Sequence, residues 1–253
     1  MQRHQTTPPS LGPTPTRSEE VATRLRQLIG SRGPTKTDRL PSELALSLQF
    51  SVSRATVRQA ITVLERDGLL VRRHGVGTFV NQFALSMATR LEEVWDYSEM
   101  IRLSGYEPTS RFEGMTLGPP SPKIAERLVQ PSNAEVLTTK DVFFADGIPV
   151  IYCEDSIPAG LVRSAYSDSD LQGPIYRFLE IRCEQRVDHN ITEIVPVRAN
   201  RTLAKLLQCR PGTPLLSFEE VAFNRDGEPL MYSEEYYRPE YFSFTVVRKM
   251  TSR

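Results

Sequence analysis

The chain of 253 residues has little of what marks secreted, metal-binding or membrane proteins. It carries only 3 cysteines, Cys153, Cys183 and Cys209, far apart and odd in number. None forms a C-x-x-C pair, so neither a disulfide framework nor a zinc site is indicated. No apolar run approaches the length that spans a bilayer, which sets a membrane partner aside. The N-terminus has no hydrophobic stretch of secretory type. No nucleophile–base constellation, metal-ligand cluster or phosphate loop stands out, so no catalytic residue, metal or cofactor is expected. A bacterial-type cytosol fits these absences. Net charge is lacking as well, with 31 Lys and Arg against 31 Asp and Glu.

What is present is an ordinary globular composition, 39% hydrophobic and 25% charged, at a length comfortable for two domains. The neutral total hides an asymmetry. Residues 1–81 hold 12 Lys and Arg against 6 Asp and Glu, and residues 82–253 hold 19 against 25. That pattern suits a polyanion-binding head on an acidic body, although many solvated basic faces look the same.

Residues 1–17 are rich in Pro, Thr and Gln and read as a disordered tail. Val21, Leu25, Leu28 and Ile29 fall at helical spacing behind Ser18-Glu-Glu, which predicts a helix to about Ser31. The stretch 40–50 reads as a short helix after Pro41, capped by Ser42, with Leu44, Leu48 and Ala45 facing inward. A third helix starts at Ser53, whose hydroxyl suits the free N–H groups of the first turn. Its core stripe is Val57, Ala60, Ile61 and Leu64, and its opposite face carries Arg54, Arg58, Gln59 and Thr62. Asp67-Gly68 closes it. Leu69–Arg73 and Thr78–Asn81 read as strands joined by His74-Gly75-Val76-Gly77. Three helices and a hairpin describe a winged helix-turn-helix over 18–81, followed by a linker at 82–90.

Arg54 and Arg58 lie four residues apart, on one helix face. Arginine grips phosphate or reads both acceptors of guanine in the major groove, and Gln59 suits adenine. Ser42, Ser53 and Thr56 sit near helix starts, where hydroxyls and N–H groups suit phosphate oxygens. Arg72, Arg73 and His74 flank a glycine tip slim enough to approach a groove. A solvated basic face on a helical bundle is the bland alternative. The coincidence of cap, core stripe, polar face, glycine wing and local charge weighs against it.

The stretch LPSELALSLQFSVSRATVRQAITVLERDGLLVRRHGVGTFV (40–80) resembles the DNA-binding domain of the GntR family of bacterial transcription regulators. The resemblance implies that Arg54 and Arg58 enter the major groove and that the Gly75 tip touches the minor groove. The candidate DNA-contacting set is Ser42, Glu43, Ser53, Arg54, Thr56, Arg58, Gln59, Arg72, Arg73, His74 and Gly75. Two positions depart from the family pattern. Leu44 stands where an arginine is frequent, which removes one DNA contact. Ser51 stands where glycine is frequent, which costs roughly 1 kcal/mol if the turn needs positive φ.

The body contains an internal repeat. At an offset of 80, Asp146-Gly147-x-Pro149 meets Asp226-Gly227-x-Pro229, Tyr152 meets Tyr232 and Glu154 meets Glu234. IAERLVQP (124–131) matches LAKLLQCRP (203–211) with one insertion. Each unit reads as a short helix, a strand, a D-G turn and a second strand. Ser110–Leu117 and Arg186–Val197 are further strand candidates, and Glu92–Ser104 and Ile175–Ile181 further helices. The expected class is α+β, with a mainly antiparallel sheet in the second domain.

Residues 91–248 resemble the UTRA effector domain of the HutC-type subfamily, which has a chorismate-lyase-like fold. The resemblance implies a homodimer whose small-molecule effector alters how two heads sit on an inverted-repeat operator of double-stranded DNA. Sugar-phosphate-sensing relatives carry Arg-x-Arg on the strand before the A-D-G turn, where Asp141 and Phe143 stand here. Cys153, Pro174 and Met231 replace three further polar positions, and only Tyr237 is kept. A carboxylate in place of two guanidiniums is wrong for a phosphoester. An uncharged or cationic effector with apolar character follows. The candidate effector set is Trp95, Tyr97, Asp141, Phe143, Cys153, Asp155, Met231 and Tyr237, against the alternative that each is core or dimer interface. His189 with Asp188 reads as a ligand-binding pair or a turn histidine, and Cys183 as a small buried residue.

Two rivals remain. An enzyme is suggested by the body fold alone, and turnover of a candidate ligand would revive it. An architectural DNA-binding protein with an inert body is the other, and ligand-induced stabilisation would exclude it. The main reading is a repressor released from its operator by a non-phosphorylated effector.

Overall fold

The computed structural model describes residues 16–30, 39–81, 84, 89–91 and 96–248. Residues 1–15, most of the 82–90 linker and Trp95 lie outside the described residues. The chain falls into two units, one of residues 14–93 with 244–253 and one built from 94–243.

In the first unit, α1 (Arg17–Gly30), α2 (Glu43–Phe50) and α3 (Arg54–Arg66) enclose one apolar cluster. Thr16 opens α1. Its N–H donates to the Glu19 carboxylate at 2.6 Å, and its hydroxyl accepts from the Glu19 N–H at 3.4 Å. This capping box starts the helix slightly ahead of the Ser18 start read from the sequence. Val57, Ala60, Ile61 and Leu64 are at most 1% exposed, as their spacing requires. In α2 the inward face differs from the expectation. Leu44 and Leu48 are 55% and 74% exposed, Ala45 is exposed too, and Leu46 and Ser47 turn inward. The helix is apolar on nearly every side, so spacing alone does not set its rotation. Leu46, fully buried in the cluster, does.

Between α2 and α3 the backbone turns through a left-handed residue, Ser51, at φ 54° and ψ 46°. A side chain there costs energy that glycine avoids. Ser51→Gly is expected to raise stability by about 0.5–1 kcal/mol, read as a higher Tm. An unchanged Tm would show that the turn carries no strain.

β1 (Leu70–Arg73) and β2 (Gly77–Val80) form the wing, with Arg73 opposite Gly77. Arg39 bridges Phe79, and the Leu40 N–H donates to the Thr78 carbonyl at 2.8 Å, so the hairpin gains a one-residue third strand. Gly77 has φ 133°, a backbone conformation that strains any residue with a side chain, and a Cβ there would press on the movable Arg39 side chain, 2.8 Å from its Nε. β3 (Thr89–Arg90) pairs in parallel with β10 (Phe244–Thr245). Arg90 donates to the Asp67 carbonyl at 2.7 Å, and Val247 packs over Gly68. The sequence reading carried 244–248 with the second domain; here they lie against the first unit's own linker.

The second unit is a six-stranded sheet in the order β4-β5-β6-β9-β8-β7. Its strands are β4 (Pro108–Gly118), β5 (Val136–Ala145), β6 (Ile148–Pro158), β7 (His189–Arg198), β8 (Pro214–Phe223) and β9 (Pro229–Tyr237). All neighbours are antiparallel. The repeat seen in the sequence is an arrangement about the central β6–β9 pair, where Glu154 faces Glu234. Each half runs strand, helix, strand, strand. The helices are α5 (Pro122–Arg127), capped by Ser121, and α8 (Arg201–Leu206), capped by Asn200. The first D-G turn has Asp146 and Gly147 both at positive φ and joins the strands in two residues. The second is wider, and the Asn224 side chain accepts from the Asp226 and Glu228 N–H groups. α8 packs on the face bearing Val142, Tyr152 and Leu215. α7 (Ile175–Arg182) packs on the other, with Leu137, Ile157 and Met231. α4 (Tyr97–Leu103) starts at the Asp96 cap and brings Tyr97 to that second face. A short α6 (Asp168–Leu171) precedes α7.

Candidate functional site

In the first unit the candidate residues occupy the start of α2, the outer face of α3 and the wing. Arg58 bridges the first two. Its Nε donates to Glu43 Oε1 at 3.2 Å and its Nη2 to Oε2 at 2.9 Å. That hydrogen bonding holds the Glu43 carboxyl below the usual carboxylate range. Glu43 therefore braces Arg58 instead of standing free. Arg72 Nη2 reaches Glu65 Oε2 at 3.4 Å, and the Arg73 guanidinium lies over the Phe79 ring at 4.6 Å. Arg54, Gln59, His74 and Gly75 are exposed. Ser42 accepts from the Ala45 N–H and Ser53 from the Thr56 N–H, so both oxygens serve as caps. The Thr56 hydroxyl sits 2.8 Å from that of Ser53. Arg17, not singled out in the sequence, joins Ser51, Ser53 and Thr56 around an open recess of about 520 Å³.

In the second unit, Asp141, Phe143, Cys153, Asp155, Met231 and Tyr237 share one face of the sheet. Alternation and register place them there: Asp141 faces Cys153, Cys153 faces Glu235, and Asp155 faces Ser233. Tyr97 joins them. Its ring centroid is 4.6 Å from that of Phe143, and its hydroxyl donates to Glu235 Oε1 at 2.8 Å. Met231 stands apart, 2% exposed among the apolar residues under α7. His189 opens β7, stacked 5.3 Å from Phe223 and 3.1 Å from the Asp188 carboxylate. Cys183 is fully buried.

Sequence reasoning missed Glu220 and Glu235. Both are the second member of a Glu-Glu pair within a strand, and alternation must turn one of each pair to either face. The outward members find cations: Lys123 lies 2.8 Å from Glu219 and 2.7 Å from Glu234. The inward members meet only neutral donors. Glu220 receives hydrogen bonds from Tyr176, Asn190 and Thr192 at 3.2, 2.5 and 2.5 Å. Glu235 receives them from Tyr97 and Tyr237, and Asp155 from Ser233 at 2.6 Å. No Lys or Arg among the described residues pairs with these carboxyls or with Asp141. The repeat relates them, since register makes Asp155 the counterpart of Glu235 and Asp141 that of Glu220.

Burial without counter-ions raises the acids. Asp141 is pushed up to about 7 by burial, with the Asp155 and Glu113 charges adding to it. Burial pushes Asp155 up to about 6 against the Ser233 hydrogen bond. Burial and the Glu220 charge push Glu235 up to about 8. Glu220 is raised by burial against its three donors. Such a cluster can take up or release protons near neutrality, and it attracts positive charge.

Comparison with known proteins agrees with both units. Residues 17–80 match the family model described as bacterial regulatory proteins, gntR family, and residues 103–243 match the UTRA domain. A relative from Shigella flexneri, described as a probable fructoselysine utilization operon transcriptional repressor, is 30% identical over 215 residues, covering 83% of this chain and 85% of the relative. The repressor NagR of Bacillus subtilis is 29% identical over 207 residues, covering 81% of this chain and 83% of its own. The crystal structure of the possible transcriptional regulator YydK from Bacillus subtilis superposes with a TM-score of 0.73 over 93% of this chain and all of the other, at 21% identity. Among the described residues no helix is long and apolar enough to cross a membrane. The chain belongs to the GntR family of bacterial regulatory proteins, a DNA-binding transcription regulator that joins a winged helix-turn-helix to a UTRA effector-binding domain.

Proposed function

We propose that the protein is a cytoplasmic repressor that binds an inverted-repeat operator as a homodimer and leaves it when a non-phosphorylated small molecule occupies the UTRA unit. It acts by binding and not by catalysis. The observation that carries the reading is the exposed Arg54, Arg58 and Gln59 face of α3, with Arg58 already oriented by Glu43. Arg58 and Arg54 read base edges in the major groove. Arg72, Arg73 and His74 hold the backbone beside the Gly75 tip, and Ser42, Ser53, Thr56 and the capped helix starts meet phosphates. The names of two relatives as repressors support the sign of regulation. The exposed Ile191, Ile194 and Val195 on the edge strand β7 support a self-associating body.

Tyr97, Asp141, Phe143, Cys153 and Asp155, with Tyr237 and the newly found Glu220 and Glu235, form the effector site. Met231 belongs to the core beside it. Carboxyls that no Lys or Arg among the described residues pairs with repel a phosphoester. Effector binding shifts the two heads of the dimer away from the half-site spacing the operator requires. The experiment is selection of genomic fragments by the purified chain at two salt concentrations. Enrichment of an inverted repeat is expected. Binding that is sequence-independent and erased by salt would replace this reading with the architectural one.

A further inference from the structure

Of the acidic side chains on the inner face of the UTRA sheet, none has a positive partner among the described residues, while their neighbours on the outer face do. Thr139 adds an independent sign. It is 1% exposed, yet its hydroxyl has no hydrogen-bond partner. It sits on β5 directly opposite Asp155 and two residues from Asp141, on the same face. A buried hydroxyl without a partner costs about 1–3 kcal/mol, and native interiors rarely leave one. Asp141 is the least buried of the four acids and lies at the aromatic pair of Tyr97 and Phe143. The acids do not converge as metal ligands do: no metal-holding group of His, Cys, Asp or Glu occurs among the described residues. Dispersed carboxyls beside tilted aromatic rings suit an organic cation.

We propose that the effector is an organic amine with an apolar or aromatic portion, its ammonium received between Asp141, Asp155 and the Thr139 hydroxyl. The apolar portion lies against Tyr97 and Phe143. The inference rests on the effector-binding reading above and names the ligand class for that site. In the free protein, Ser233, Tyr97 and Tyr237 keep the carboxyls hydrogen-bonded. An ammonium supplies the charge they lack, and Thr139 gains a donor.

The test uses the full chain and an operator fragment from the selection. Tyramine, phenethylamine and agmatine are compared with tyrosol, 2-phenylethanol and glucose 6-phosphate, by Tm shift and by release from the operator. At least one amine is expected to raise Tm by about 2 °C or more and to release the fragment, with its matched alcohol inactive. Asp141→Asn removes the response, whereas Glu154→Gln on the opposite face keeps it, which separates loss of the site from loss of folding. If an alcohol or the sugar phosphate acts and the amines do not, the amine inference falls and the effector reading stands. If no compound of either kind moves Tm or operator binding, both fall.

Discussion

Arg58→Ala is expected to lower discrimination between operator and random DNA by about 1–3 kcal/mol, roughly 5- to 150-fold. The reason is geometric. A base-reading arginine must present its planar donors at a fixed angle, and the Glu43 carboxylate, held by two of those donors, supplies that angle before DNA arrives. Arg72→Ala makes a contrast. It sits on the wing and reaches Glu65, not the centre of the reading face. Its loss should weaken binding uniformly across sequences and lower the salt slope by about one. Glu43→Gln removes an anion from the DNA-facing surface and loosens Arg58. Non-specific affinity should rise and the operator-to-random ratio should fall. Titrations of operator and scrambled duplexes at several salt concentrations separate the three. Wild-type discrimination by Arg58→Ala would refute the assignment of α3 as the reading helix.

The ligand-free protein is expected to lose stability as pH rises from about 5 to about 8.5, the reverse of ordinary acid denaturation. Asp141, Asp155 and Glu235 are raised to about 7, 6 and 8 in the folded chain, largely by burial. Unfolded, they titrate near 4. Between those values the folded state holds more protons than the unfolded state, so unfolding becomes easier with each rise in pH. The stabilisation is complete below about pH 4 and is lost as pH passes through the folded-state values. Each tenfold displacement is worth about 1.4 kcal/mol, so a net loss of several kcal/mol is in reach. For a chain of this size that is a Tm fall of roughly 5–10 °C. The paired variant Asp141→Asn with Glu235→Gln should flatten the profile and raise Tm at pH 8.5. A profile that rises over the same range would mean that cations neutralise these acids.

Much of the head was legible. The four buried residues of α3 are the four its spacing named, and Ser42 and Ser53 cap the helices that the sequence assigned to them. Ser51, which stands where the family often has glycine, takes a left-handed turn, so the condition for its cost is met. The rotation of α2 was not legible, because a helix apolar on nearly every side has no preferred phase until Leu46 finds its cluster. Nor was the strand formed by Arg39, since one bridging residue has no periodicity.

In the body, the repeat foretold two strand pairs and their D-G turns, and the sheet contains both. The six candidates on the sheet that were read from the sequence share one face because alternation orders each strand and the register of β5, β6 and β9 brings those faces together. The half of the acidic cluster supplied by Glu220 and Glu235 escaped notice. Glu219-Glu220 and Glu234-Glu235 look alike in sequence, and which member faces Lys123 and which faces the base-free side depends on packing across strands. The sequence by itself determined the helices, the wing, the repeat and the family, because caps, periodicity and turn glycines act within a few residues. Only the tertiary structure decided that Glu43 would brace Arg58 and that four carboxyls would share one sheet face with no Lys or Arg partner among the described residues. Burial and ion pairing are set by residues distant in the chain, and no local signal reports them.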